Sequence, residues 1–164
     1  MSAGDFNQIY GQDSTSAPQN YDCIMTCFFI DTAPNVIDYL DTIYSALSPG
    51  GVWINLGPLQ FHWTSDDDGN GDERYERSLE LSYEELKYAI CAVGLEIVEE
   101  ARENVTYSRD PRSISHTVFD ALFFVARKPP LGWREARYEP PIPSLEVCLP
   151  RSSRPLPSAF ASES

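Results

Sequence analysis

The sequence predicts an α/β fold, built from an open, mostly parallel sheet that ends in an antiparallel strand. Three observations carry that expectation. Tyr21 to Ile30 is a near-continuous apolar run (Ile24, Met25, Cys27, Phe28, Phe29, Ile30), as expected for a strand buried on both faces. Asn35 to Leu47 then places Val36/Ile37, Leu40, Ile43/Tyr44 and Leu47 at helical spacing. Val52 to Leu56 is a second short apolar run, so strand, helix and strand form a βαβ unit with a right-handed crossover.

The remaining elements follow in order. Residues 1 to 20, rich in Ser, Gln, Asn and Gly, read as the end of a strand and a polar loop. Pro34 suits an early helical turn, and Ser48-Pro49-Gly50-Gly51 stops the helix. A long polar loop is expected over residues 59 to 78. Ser82-Tyr83-Glu84-Glu85 is a capping box, in which Ser82 and Glu85 satisfy each other's free backbone donors. Leu86, Ala89/Ile90 and Val93 supply the apolar stripe of that helix, and Gly94 ends it. Leu95 to Val98 starts a strand that continues towards Tyr107. Val118 to Ala126 is the last strand, and the short link between the two favours an antiparallel pair. From Pro129 eight prolines crowd the chain and apolar periodicity stops, which predicts a disordered tail.

Charge and cysteine content narrow the function. The chain has 164 residues and a net charge of -13. Pro129 to Ser164 holds equal numbers of acidic and basic residues, so the whole excess lies on residues 1 to 128. Phosphate backbones would repel such a domain, and nucleic acid is not an expected partner. An acidic surface suits a small cationic substrate, or is simply a solvated face. Cys23, Cys27, Cys91 and Cys148 read as free thiols in a reducing compartment. No apolar stretch approaches the ~20 residues that span a bilayer, so no membrane partner is expected and the location reads as cytoplasmic. Asp66-Asp67-Asp68-Gly69-Asn70-Gly71 begins like a calcium loop, but Arg77 stands where the final bidentate acid belongs. Cys23 and Cys27 share a strand face without a second ligand pair. No metal is expected.

In an open parallel sheet, ligands bind beyond the carboxyl ends of the strands. Asp31 and Asn55 to Pro58 fall there, with His62 shortly after. The plain alternatives stay open on the residues alone. Asp31 could be a helix N-terminal acid favouring the dipole, His62 a packed or surface histidine, and Cys27 a small core residue.

The words CFFIDTAPNVIDYLDTIYSALSPGGVWINLGPL, with Ala3-Gly4-Asp5-Phe6 before them and Val125-Ala126-Arg127-Lys128-Pro129 after, resemble the carnosine N-methyltransferase family. That family uses S-adenosylmethionine (SAM) to methylate the imidazole of a histidine dipeptide. The resemblance implies the second half of a Rossmann-like methyltransferase fold over residues 1–128, followed by the Pro-rich tail over 129–164. It implies Asp5 and Phe6 beside the adenine and Cys27 in contact with the cofactor. Asp31 and His62 would contact the dipeptide and carry the catalytic role. A carboxylate and a neutral imidazole can select the substrate tautomer and orient its lone pair. Phe119 falls where the family uses a substrate-holding tyrosine. Access to the nucleus as well as the cytoplasm is implied. No Gly-rich turn or ribose-binding acid precedes Asp5, so the expectation is half a cofactor site. The alternative expectation is a truncated, inactive fragment that needs a partner chain to fold or to bind cofactor.

Overall fold

The computed structural model describes residues 4–11, 20–63, 73–106, 110 and 112–131. The elements in chain order are α1 (Phe6–Tyr10), β1 (Tyr21–Cys27), α2 (Val36–Ala46), β2 (Leu47–Gly57), α3 (Glu73–Glu76), α4 (Tyr83–Ala92), β3 (Glu96–Thr106) and β4 (Val118–Arg127). A 3-10 turn, Ile30–Thr32, lies between β1 and α2. The described strands form one sheet in the order β1-β2-β4-β3. β1 runs parallel to β2, and β4 runs antiparallel to both β2 and β3. Three of the four strands thus run in one direction and the last, β4, is reversed, the Rossmann-like arrangement that the sequence leads one to expect.

Helical periodicity finds its partner in one face of that sheet. Val36, Leu40 and Ile43 of α2 and Leu86 and Ile90 of α4 bury with Trp53, Phe124 and Ala126. The Trp53 and Phe124 rings meet edge to face, with centroids 4.7 Å apart, a favoured aromatic geometry. Asn35 caps α2 by accepting from the Ile37 N–H at 3.0 Å, so Pro34 lies before the cap rather than in the first turn. At the other end of α2, Lys128 Nζ donates to the carbonyls of Tyr44 and Leu47, each at 2.7 Å. A cation there complements the negative end of the helix dipole. The capping box of α4 is present as expected, and Gly94, at φ +103°, takes the left-handed position that ends the helix. Ser82→Ala should cost about 1 kcal/mol, seen as a lower urea midpoint with an unchanged slope.

Several expectations are corrected. Residues 6 to 10 form helix α1 rather than a strand end and loop, because Asp5 caps them by accepting from the Gln8 N–H at 3.1 Å. α3 interrupts the loop expected over 59 to 78; the acidic run 64–72 lies outside the described residues, as does the tail 132–164. β1 stops at Cys27 and is not buried on both faces. Thr26 is buried on the side facing the helices. Cys23, Met25 and Cys27 on the opposite face are exposed, Met25 by 76%. The apolar run signalled a strand, but burial depends on what lies across each face and edge. Among the described residues the outer edge of β1 pairs with no strand. Finally, Cys23 and Cys27 are free thiols, whereas Cys91 is disulfide-bonded.

Candidate functional site

The carboxyl ends of β1 and β2 meet at a crossing that the local sequence makes tight. Phe28 follows β1 with φ +49°, and its N–H donates to the Leu56 carbonyl at 2.8 Å. A Cβ on Gly57 would stand 3.0 Å from both Cα and N of Phe28, so glycine is required there. Below the crossing, Trp53 Nε1 donates to Thr26 Oγ1 at 2.8 Å and Thr26 Oγ1 donates to Asn55 Oδ1 at 2.8 Å. Asn55 Nδ2 in turn donates to the Leu122 carbonyl at 3.3 Å. This buried chain of bonds ties β1, β2 and β4 together beneath the strand ends.

Asp31 sits in the 3-10 turn, 3% exposed. It is not the cap acid of α2, whose N-cap is Asn35. Asp31 Oδ2 accepts from the backbone N–H of Gln60 at 3.1 Å. One residue further along the turn, the Thr32 carbonyl accepts from Trp63 Nε1 at 2.8 Å. Segment 60–63 is therefore pinned to the turn at both ends, with His62 between the pins. His62 itself is exposed. Burial pushes the Asp31 carboxyl above the usual range; the Gln60 N–H, its own backbone N–H and the charge of His62 partly oppose that rise. The structure thus brings Asp31 and His62 into one electrostatic neighbourhood.

Phe6 and Cys27 line one cavity beside β1, and Asp5 precedes Phe6 as the cap of α1. A cavity of ≈ 450 Å³ runs beside β1, lined by Phe6, Tyr10, Cys27 and Phe29 among others. α1 is held at its wall by Thr42 Oγ1, which donates to Asn7 Oδ1 at 2.8 Å. The Phe6 ring lies 5.2 Å from Phe29 and 4.9 Å from Tyr39, and Phe29 stacks on Tyr39 at 5.1 Å. Asp5, capping α1, adds a carboxylate beside this aromatic wall. Phe119 stands apart from both groups and meets Phe28 edge-on, with centroids 5.4 Å apart.

Sequence reasoning missed Phe28 and Trp63. Trp63 anchors the histidine segment and is itself covered by the Arg74 guanidinium, 4.4 Å above the ring, and by Tyr75 at 5.3 Å. An indole in a polar loop was the available signal. Nothing in the sequence marked Phe28 as a left-handed residue. Among the described residues no group of three or more His, Cys, Asp and Glu could hold a metal, and no helix is long and apolar enough to cross a membrane.

Comparison with known proteins gives these residues a family. The model of the family "Carnosine N-methyltransferase" matches residues 1–130. The carnosine N-methyltransferase of Rattus norvegicus is 45% identical over 131 residues, 79% of this chain and 30% of that protein. "Carnosine N-methyltransferase unmet" of Drosophila melanogaster is 40% identical over 147 residues, 85% of this chain and 29% of that protein. The chain thus spans about a third of the length of the curated relatives it matches. A solved structure concerned with the conversion of a disulfide bond into a thioacetal group during echinomycin biosynthesis superposes with a TM-score of 0.50. It is 14% identical, covers 81% of this chain and 57% of its own, and likens the fold alone. On the match over residues 1–130 and the identity to these relatives, this chain belongs to the carnosine N-methyltransferase family.

Proposed function

We propose that this chain serves transfer of a methyl group from SAM to an imidazole nitrogen of carnosine or a related histidine-containing peptide. The observation that carries the reading is the buried Asp31 carboxylate beside His62 at the strand ends, within a chain of this family. The cavity fits the cofactor in chemical character at one wall: the aromatic ring of Phe6 suits a purine, and Asp5, next in sequence to Phe6, is the acceptor assigned to its amino group. Asp5, Phe6 and Cys27 are the residues that would hold it. SAM supplies an electrophilic methyl on a sulfonium. The residues of this chain have the remaining tasks. Asp31 accepts the N–H of one imidazole nitrogen and so fixes the tautomer that leaves a lone pair on the other. His62 orients the ring from the exposed side. An imidazole nitrogen that accepts a methyl group would leave the ring positively charged. The raised Asp31 carboxyl is then suited to take the departing N–H proton.

A second reading is that another polypeptide must complete the sheet before cofactor binds. It starts from two observations: among the described residues the outer edge of β1 pairs with no strand, and Cys23, Met25 and Cys27 are exposed. Calorimetry of SAM binding to the folded 164-residue chain, followed by a carnosine methylation assay, separates the two. Micromolar binding with turnover supports the first. Absence of binding by a folded chain supports the second.

A further inference from the structure

The turn Ile30–Thr32 holds segment 60–63 by two bonds of different kind. At one, Asp31 Oδ2 accepts from the Gln60 backbone N–H at 3.1 Å. The other needs a particular side chain: the Thr32 carbonyl accepts from Trp63 Nε1 at 2.8 Å. Thr32 is itself fixed, its hydroxyl donating to the Phe29 carbonyl at 2.6 Å. Between the two bonds Phe61 packs against the core, while His62 stays exposed. An exposed loop residue takes its place from the neighbours that are held. Trp63 is held on its far side as well. The Arg74 guanidinium lies 4.4 Å above the indole, and Tyr75 meets it edge-on with centroids 5.3 Å apart. The chain just after α3 returns to the start of α2. There the Leu79 N–H donates to the Pro34 carbonyl at 3.0 Å, and Arg77 Nη2 lies 3.9 Å from Asp38 Oδ2. Ring packing alone would not require the indole N–H, since a phenylalanine offers the same kind of face to Arg74 and Tyr75.

The geometry points to Trp63 as a positioning residue: its indole N–H ties the segment bearing His62 to the turn bearing Asp31, and so sets the histidine against the carboxylate. The inference rests on the proposed function, in which both groups meet the substrate imidazole, and adds what holds them together. Placement of such groups matters steeply, since a displacement of ~1 Å can cost about 10²-fold in rate. Loss of this one hydrogen bond costs less, because water can replace the donor at the Thr32 carbonyl.

The test is a double-mutant cycle on the full 164-residue chain, reading kcat/KM for carnosine at saturating SAM. Trp63→Phe keeps a ring for Arg74 and Tyr75 and removes the donor. It should lower kcat/KM about 5-fold, while SAM affinity stays within about 2-fold. In the His62→Ala background the same substitution should change kcat/KM by less than about 1.5-fold, because effects that act through one residue do not add. A full loss repeated in that background overturns the inference and leaves the functional reading standing, as does a parental kcat/KM in Trp63→Phe. If Trp63→Phe does not fold, or the parent binds carnosine without turnover, NMR exchange of the Trp63 indole hydrogen decides. With the parent saturated in S-adenosylhomocysteine, carnosine at about ten times its Kd should slow that exchange about 10-fold, since opening the segment releases the ligand. Unchanged exchange overturns the inference. Neither turnover nor carnosine binding by the folded, loaded parent overturns the functional reading and the inference with it.

Discussion

Asp31→Ala is expected to lower methyl transfer to carnosine by about 10²–10³-fold, the range for loss of a positioned proton-transfer group. His62→Ala should cost less, about 10-fold, because His62 is exposed and water can take its place. Mass-spectrometric turnover assays at saturating SAM check both; parental rates in the two variants would remove these residues from the mechanism. Asp31→Asn adds a stability readout. Burial raises the native Asp31 value, so the folded state holds that proton more tightly than the unfolded chain. Its favourable contribution is complete below the unfolded value, about pH 3.9, and is lost as pH rises through the raised native value. At neutral pH the ionised group therefore opposes folding. Asparagine keeps an acceptor for the Gln60 N–H without the charge, and should stabilise the fold by about 1 kcal/mol at pH 7 while abolishing turnover. The gain should vanish near pH 3, which thermal melts at the two pH values would reveal. A stabilising loss of function at one residue separates a site carboxylate from a structural one.

Phe124→Ala is expected to remove about 3–5 kcal/mol of stability, a large share of the ~5–15 kcal/mol that a domain possesses. Phe124 is fully buried against Trp53, between the strand that carries Asn55 and the helices α2 and α4. Truncation leaves a cavity that the sheet backbone cannot close. The denaturant midpoint should fall sharply, or the chain should fail to fold. A loss below about 1 kcal/mol would mean that this face relaxes, contrary to the packing around Trp53.

Sequence patterns were most legible where short-range chemistry decides structure. The stripe of α2, the Ser82–Glu85 capping box and the glycine stop at Gly94 are interactions within a few residues, so their signatures survive in any fold. The antiparallel pairing of β3 with β4 follows from their short connection. The candidate site was legible as residue types at strand ends: Asp31 after one apolar run, and His62 soon after the next. Its assembly was not legible. That Asp31 meets the Gln60 N–H, and that Trp63 reaches the Thr32 carbonyl, are contacts across roughly thirty residues. No local pattern encodes them.

The sequence by itself determined the order and type of most elements, the family resemblance, and the residues available at the strand-end rim. Tertiary structure alone decided three things. It left Cys23, Met25 and Cys27 exposed on a run that reads as buried, because hydropathy reports composition and not what lies opposite. It drew Asp5 into the cap of α1 and set Phe6 beside Phe29 and Tyr39. It turned Phe28 into the left-handed region, because two strand ends and a glycine that is distant in sequence meet there, and only their meeting outweighs the local preference of a phenylalanine.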